Sequence, residues 1–338
     1  MQSSFFDSAD RLFADECTPA HVRQVEAGGD TTQLWDALVC AGFADALLPE
    51  SAEGAGLTLA EAWPILFCMG RHALPLPYAQ TMLARAWLQH QGQTIPEGSI
   101  TFAPFQVTAD ETGLTARAVT FGRTATRVLA QQGKRIWLLP TGEAQITPTG
   151  AHGSLDADLH WCAEAANKAS LGDWATQQFR ELLALSMAVL IAGAADRVFE
   201  MTLTYANQRV QFGKPIGKFQ AVQQQISEMA ELAFSARMAS EMSCRSDSWQ
   251  PAPMLAALAK CQASQSVARV TAYSHAVHGA IGVTHEYDLQ LYTRRLNEWS
   301  RSGGGANYWA SVLGEQALQS GATAVDFVRT ALFSEPAV

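Results

Sequence analysis

The longest helical pattern in this chain is also its most apolar, and it restricts the fold more than any other feature. It covers residues 174 to about 208, and within 182–195 apolar side chains occur almost all the way round the helix. A helix that is apolar on every side belongs in the centre of a bundle. The apolar stretch is shorter than the roughly 20 residues that cross a bilayer. The sequence therefore predicts a buried core helix and no membrane span.

Further helical patterns follow and predict a four-helix bundle around this helix. A turn rich in Gly and Pro leads into a second helix near Phe219. Its apolar residues recur at helical spacing and predict one buried stripe: Phe219, Val222, Ile226, Met229 and Ala233. The remaining helical patterns cover residues 254–278, 286–301, 306–318 and 323–332.

The first half of the chain divides into a helical part and a β part. Residues 3–91 have helical patterns, and Thr58 with Glu61 three residues later predicts a capping box. Between residues 99 and 163, five short β-type runs are separated by turn residues. The predicted fold is mostly α with a small central β domain. Its domains are residues 1–97 (helical), 98–168 (a shortened β domain) and 169–338 (a helical bundle).

Composition excludes several classes of function. The net charge is −9, which argues against binding to nucleic acid. The six cysteines are scattered without a CxxC pair or a His cluster, so we expect reduced, mostly buried thiols in a cytoplasmic protein and no metal site. Apolar residues make up 48% and charged residues 16% of the chain, which favours assembly into a dimer or tetramer.

Three stretches together resemble the acyl-CoA dehydrogenase family. The turn RVQFGKPIGKFQAVQQ (209–224) is similar to the family's R-x-Q-F-G-x-P-I-G-x-F-Q-A-x-Q segment, and HGAIGVTHEYDLQLYTRR (278–295) to a later H-G-G-x-G segment. LWDALVCAGFADALLPESAEGAGL (34–57) is similar to an N-terminal segment. The resemblance implies an N-terminal helical domain, a β-barrel-like middle domain and a C-terminal four-helix bundle. The sequence of the later segment is similar to that of shortened family members that work in pairs on sterol-type CoA thioesters.

The resemblance also implies a chemistry and a cofactor. Members of the family use FAD to desaturate the α,β bond of an acyl-CoA thioester, and most pass the electrons to an electron-transfer flavoprotein. Arg209 would contact the FAD pyrophosphate, Phe212 would pack near the adenine, and Gln220 with Gln224 would bind the neighbouring subunit's dinucleotide. Gly279 and Gly282 would let the backbone approach the adenosine.

The carboxylate that removes the α-proton is missing from both positions that the resemblance implies. In most relatives it is a Glu at the position of Gly303, and in a second group it is a Glu at the position of Leu183. Neither glycine nor leucine can take a proton. Glu181 is the nearest carboxylate, but two residues rotate a helix by about 200°, which places it on another face.

Other departures leave three hypotheses open. Ala276 and Ala280 replace a Gln and a Gly of the later segment, and no T-E-P-x-A-G-S-D segment occurs between residues 99 and 163. The chain is either one subunit of a heteromeric dehydrogenase whose partner supplies the carboxylate, or a self-sufficient enzyme with a displaced base such as Glu181. The third hypothesis is a non-catalytic scaffold or acyl-CoA binding protein that has kept the fold.

Overall fold

The computed structural model describes residues 2–174 and 178–332, which form a helical part, a β part and a helical bundle in that order. The first five helices are α1 Gln2–Glu16, α2 Pro19–Glu26, α3 Thr32–Cys40, α4 Leu59–Arg71 and α5 Tyr78–His90. The β part contains β1 Ile100–Ala103, β2 Val107–Asp110, β3 Gly113–Val119, β4 Arg127–Gln132, β5 Arg135–Pro140, β6 Gln145–Pro148, β7 Ala157–Cys162, α6 Ala163–Lys168 and β8 Ser170–Asp173. The bundle contains α7 Phe179–Gln208, β9 Val210–Gln211, β10 Lys214–Pro215, α8 Gln220–Ser243, α9 Pro253–His278, α10 Leu289–Arg301, α11 Ala306–Ser320 and α12 Ala324–Phe327, which continues as a π-helical turn.

Helix α7 is the centre of the molecule, as its all-round apolar pattern predicts. It packs against α4, α8, α9, α10 and α5. It is long and apolar enough to cross a membrane by composition, but 83% of its most apolar window is buried inside the protein. It is therefore a core helix. The predicted start at residue 174 was too early: α7 begins at Phe179, and residues 175–177 lie outside the described part of the chain.

Two glycines bring the backbones of α4 and α7 into direct contact. A Cβ added to Gly193 of α7 would lie 2.1 Å from the carbonyl oxygen of Phe67 in α4, and one added to Gly70 would lie 2.2 Å from the carbonyl oxygen of Leu190. Real Cβ atoms do not approach carbonyl oxygens so closely. Both positions therefore require glycine. This contact anchors the N-terminal helices on the bundle.

The β part is a sandwich of two open sheets, which corrects the barrel-like shape that the resemblance implies for this domain. One sheet has the order β1-β4-β5-β8 and the other β2-β3-β7-β6. Among the strands that the structure describes, only β1 and β4 pair in parallel. Their inner faces share one core that includes Trp137 of the first sheet and Trp161 of the second. Among the described residues, neither sheet closes on itself. The last strand, β8, lies after the boundary predicted at residue 168.

The bundle helices alternate in direction because short connections join them. The turn 209–219 reverses the chain between α7 and α8, and the segment 244–252 reverses it again before α9. The end of α7, the start of α8 and the end of α9 therefore share one end of the bundle, which we call the distal end. The stripe predicted on α8 is buried at Met229 and Ala233, but Phe219, Val222 and Ile226 near the distal end are only half-buried.

The N-terminal helices follow the sequence signals closely. Thr58 caps α4, and its hydroxyl accepts the Glu61 N–H while the Glu61 carboxylate accepts the Thr58 N–H, which confirms the capping box. Four of the six cysteines are buried free thiols; Cys40 and Cys162 are exposed. The fourth bundle helix begins at Leu289 rather than at the predicted residue 286.

Candidate active site and cofactor surface

A cavity of about 750 Å³ lies where the β sandwich meets the bundle. The sandwich contributes the β1–β2 connection, part of β3 and the loop before β7. The bundle contributes the start of α7, the end of α10 and the loop that follows it. We call this cavity the sandwich–bundle pocket. Its size is within the range of about 300–1,000 Å³ typical of small-molecule sites.

The two positions at which the resemblance implies a catalytic Glu are neighbours in this pocket. Leu183 and Gly303 both line it, and a Cβ added to Gly303 would lie 3.0 Å from Leu183 Cγ. Gly303 also has φ +68°, a conformation that L side chains rarely adopt. The leucine therefore fills the space that a side chain at position 303 would need.

Glu181 does not line the pocket. Its neighbours on α7, Arg180 and Leu183, do line it, whereas Glu181 is half-buried on another face of the helix. Burial raises the pKa of the Glu181 carboxyl above its ordinary value. A raised pKa suits a base only if the group can reach the substrate, and the position of Glu181 does not provide that.

Two other carboxylates do line the pocket, and sequence analysis missed the more buried one. Asp156 belongs to the loop before β7; its two oxygens accept the Phe121 N–H at 3.1 Å and the Ser302 hydroxyl at 3.2 Å. Burial, and then the nearby Glu298, raise the pKa of Asp156 to about 8. No motif marks Asp156; only the meeting of the sandwich loop with the end of α10 reveals it.

Glu298 belongs to a network of charged groups that joins all three parts of the chain. Its carboxylate accepts from the Ser154 hydroxyl and from Arg295 Nη1 at 2.7 Å. Arg295 also donates to Glu26 of α2, as does Arg294 at 2.7 Å. Because both Glu298 oxygens already have donors, this carboxylate has a structural role.

The end of α10 is held by a buried ammonium group. Lys260 of α9 donates to the carbonyl oxygens of Trp299 at 2.8 Å and Ser300 at 3.0 Å, and to the Ser264 hydroxyl at 2.9 Å. Burial lowers the pKa of Lys260 to about 7. A cation at a helix C-terminus pairs with its free carbonyl groups. Lys260 thereby fixes the point from which the loop carrying Gly303 enters the pocket.

The six residues expected to contact FAD all belong to the distal end of the bundle. Arg209 follows α7, Gln220 begins α8, and Gly279 ends α9, where His278 stacks on Tyr205 of α7 with ring centroids 4.4 Å apart. Arg209 is about 26 residues beyond Leu183, which is about 39 Å along an α-helix. The distal end is therefore remote from the chain's own sandwich–bundle pocket.

Arg209 and Phe212 are presented outward by the turn. Phe212 is at the tip of the β9–β10 hairpin, is 90% exposed and has φ +52°. Arg209 is exposed, and no carboxylate among the described residues lies within ion-pair distance of it. Gln220 and Gln224 are exposed on the first turns of α8, whose N-cap Phe219 supplies no side-chain acceptor. The first N–H groups of α8 are thus available to an anion.

The two glycines after α9 differ. Gly279 has φ +64° and ψ −146°, and a Cβ added to it would meet nothing within 4 Å. Gly282 is buried, and a Cβ there would lie 3.0 Å from His278 Cβ and 3.1 Å from Leu289 Cδ2. Gly279 therefore leaves open space beside the backbone, whereas Gly282 is required by packing within the chain.

No group of three or more His, Cys, Asp or Glu side chains among residues 2–174 and 178–332 could hold a metal ion. The described chain thus has two candidate functional regions. One is the pocket, whose carboxylates are Asp156 and Glu298. The other is the exposed turn that begins at Arg209, about 39 Å from Leu183 along α7.

Comparisons with known proteins agree with the resemblance found in the sequence. A family model described as "Acyl-CoA dehydrogenase, C-terminal domain" matches residues 175–317. The acyl-CoA dehydrogenase IpdE2 of Mycolicibacterium smegmatis is 31% identical over 301 residues, an alignment that covers 85% of this chain and 89% of that protein.

Two solved heteromeric structures have the same fold. The "Tcur3481-Tcur3483 steroid ACAD" matches with a TM-score of 0.80 at 25% identity and covers 95% of this chain and 99% of that chain. The ChsE4-ChsE5 complex from Mycobacterium tuberculosis matches with a TM-score of 0.78 at 23% identity, covering 94% and 97%. At that identity the second match shows the fold alone.

Proposed function

Because this chain belongs to the acyl-CoA dehydrogenase family, we propose that it is one subunit of a heteromeric, FAD-dependent enzyme that desaturates the α,β bond of an acyl-CoA thioester. One observation carries this proposal. The two family positions for the base, Leu183 and Gly303, lie side by side in one pocket, and neither can take a proton. The partner subunit then supplies the carboxylate.

The distal end fits the dinucleotide part of FAD. Arg209 offers a guanidinium without a carboxylate partner in the described chain, and a guanidinium pairs well with a diphosphate. Phe212 offers an exposed ring for the adenine, and the N-terminus of α8 offers free N–H groups. Gln220 and Gln224 would donate hydrogen bonds across the subunit boundary. When bound, FAD would supply the acceptor for the β-hydrogen as hydride.

The length of α7 supports a cofactor shared between chains. A flavin ring placed in this chain's own pocket would lie about 39 Å along the helix from Arg209, too far for one dinucleotide to reach both. We therefore propose that Arg209, Phe212 and Gln220 bind the dinucleotide whose flavin ring lies in the partner's pocket. The half-buried stripe at the start of α8 would then become buried against the partner.

Similar proteins are the basis for proposing a substrate class and an electron acceptor. The Tcur3481-Tcur3483 structure is described as a steroid acyl-CoA dehydrogenase, so we propose a bulky, ring-containing acyl-CoA as substrate. We propose an electron-transfer flavoprotein as the electron acceptor, and the cytoplasm as the location of a protein whose six cysteines are free thiols.

A non-catalytic scaffold or acyl-CoA binding protein is the second candidate, because the same absent carboxylate favours it. Co-expression of this chain with a dehydrogenase-like protein encoded beside it distinguishes the heteromeric enzyme from the non-catalytic protein. We expect a complex that carries flavin and desaturates an acyl-CoA, while this chain alone is inactive. A colourless, inert homo-oligomer that does not bind the neighbour would favour the scaffold. Reduction of bound FAD by this chain alone would contradict the heteromeric proposal.

A further inference from the structure

A second cavity, of about 380 Å³, lies where the N-terminal helices meet the connection between α8 and α9. The loop before α4, the end of α5 and residues 247–249 line it, and none of these residues lines the sandwich–bundle pocket. We call it the Trp249 pocket. Ligand sites of about 300–1,000 Å³ occur preferentially where separate parts of a protein meet. The cavity is therefore a candidate for a ligand of its own.

The innermost wall of the Trp249 pocket is apolar. Leu47 precedes α4 and Ala86 belongs to α5, and both side chains are buried. Leu57, which also lines the pocket, is half-buried. Such a wall gains free energy by removing apolar ligand surface from water. A ligand of this pocket should therefore have an apolar part.

An aromatic ring forms part of the same lining and is held in place. Trp249 is half-buried, and its ring lies 5.7 Å from the His90 ring, centre to centre. Hydrogen bonds fix the connection that carries Trp249: the Leu59 N–H donates to the Ser248 carbonyl at 2.9 Å, and the Gln250 N–H donates to the Ser248 hydroxyl at 3.2 Å. The face of an indole ring attracts cations more strongly than other aromatic side chains do.

Asp247 places a carboxylate beside this ring. It is exposed, and it makes no ion pair with any residue in the described part of the chain. Of the described residues that line the pocket, Asp247 is the only acid, and none is a lysine or an arginine. A carboxylate next to an indole, without a basic partner of its own, is complementary to a cationic ligand.

We propose that the Trp249 pocket binds an organic ammonium ion with a short apolar part. The ammonium group would lie between the Asp247 carboxylate and the Trp249 ring. The apolar part would contact Leu47, Leu57 and Ala86. This site goes beyond the proposed function, because it includes neither the positions expected for the base nor the turn expected to bind FAD.

The test compares two probes of almost the same shape, choline and 3,3-dimethylbutan-1-ol, which differ in having a cationic nitrogen or a neutral carbon at the branch point. Each has one sharp methyl signal, so saturation-transfer NMR on the full chain measures both affinities. The measurement uses phosphate buffer at pH 8, at which histidine side chains are generally uncharged. We expect choline to bind with a Kd below about 5 mM and to be preferred about fivefold or more.

Variants assign the preference to the two side chains. Asp247→Asn should weaken choline about twofold to fivefold and leave the neutral alcohol unchanged, whereas Asp247→Glu keeps the charge and should keep the preference. Trp249→Leu retains an apolar side chain and should weaken choline about threefold to tenfold. Asp110→Asn is the matched control, because Asp110 is an exposed acid on β2 that does not line the pocket.

Three results would overturn the inference. The first is the absence of saturable choline binding up to about 20 mM. The second is equal affinity for choline and the alcohol, which would identify a site for apolar molecules only. The third is a preference for choline that remains the same in Asp247→Asn and in Trp249→Leu. Because no flavin and no partner is needed for this test, its outcome is independent of whether the chain belongs to a heteromeric enzyme.

Discussion

Asp156 is a buried acid that makes no hydrogen bond to a cation in the described part of the chain, and this makes the fold sensitive to pH. Its pKa is about 8 in the folded chain and about 3.9 when unfolded. The folded state therefore retains a proton that the unfolded state has lost. The contribution of this proton to stability is full below about pH 4 and is lost as the pH rises to about 8.

We expect Asp156→Asn to remove this pH dependence. The amide oxygen can still accept the Phe121 N–H, and the side chain never ionises. The difference in unfolding free energy between variant and wild type should shift in favour of the variant by about 1–3 kcal/mol when the pH is raised from 5 to 8.5. Urea denaturation of both proteins at both pH values measures this shift. Asp110→Asn is the control, because Asp110 is exposed with a lowered pKa and is ionised over that whole range. The same difference from wild type at both pH values would contradict the raised pKa of Asp156.

Gly303 and Leu183 should be energetically coupled because they compete for the same space. Gly303→Ala introduces a methyl group 3.0 Å from Leu183 Cγ at a φ of +68°, and should destabilise the fold by about 1–3 kcal/mol. In the Leu183→Ala background part of that loss should disappear, giving a coupling of about 1 kcal/mol in a double-mutant cycle. Additive losses would show that the two positions do not touch.

At the scale of single residues, the sequence allowed a prediction only where a motif fixes the spacing. The resemblance predicted that the family's base positions fall on Leu183 and Gly303, because motif spacing is enough for that prediction. Sequence analysis missed Asp156 and Lys260, because their environments form only when α9, α10 and the loop before β7 pack together. No local sequence pattern predicts these contacts between distant segments.

The contact between α4 and α7 depends on glycine at two places. Gly193→Ala would place its methyl group 2.1 Å from the Phe67 carbonyl oxygen and force the helices apart, so we expect a loss of about 3 kcal/mol in unfolding free energy. Gly314→Ala in the exposed helix α11 is the matched control. Its Cβ would meet nothing within 4 Å, and the variant should gain about 0.5–1 kcal/mol. Equal effects of the two substitutions in chemical denaturation would contradict the close contact.

Helices and strands could be predicted from the sequence where their burial requires a periodic pattern of apolar residues. Helix α7 and the capping box of α4 have strong local signals, and both were predicted. The five predicted β-type runs covered residues 99–105, 114–121, 127–130, 135–139 and 160–163 and so missed β2, β6 and β8, which all lie at sheet edges. β6 is exposed along its whole length and β2 over three of its four residues, so neither has the alternation that marks a strand.

At the scale of the whole molecule, the separation of two functional regions by α7 is the central feature. The pocket lies at one end of this helix and the exposed turn 209–219 at the other. This separation is the reason for the proposal that the turn binds the dinucleotide of a neighbouring chain and not one bound in its own pocket. The chain order and the helical bundle could be predicted from the sequence. The open sandwich could not, because closure into a barrel depends on pairing between the edge strands of the two sheets, and nothing local to those strands specifies it.

The most direct test of this account is the flavin content of the heteromeric complex when this chain carries Arg209→Gln. Arg209 is exposed and lies outside this chain's pocket, so the complex should assemble normally. We predict that its visible flavin absorbance per complex falls at least tenfold at limiting FAD, while Arg135→Gln in the same chain leaves it unchanged. An Arg209→Gln complex with full flavin content and undiminished FAD affinity would contradict the claim that this chain's turn binds its partner's cofactor.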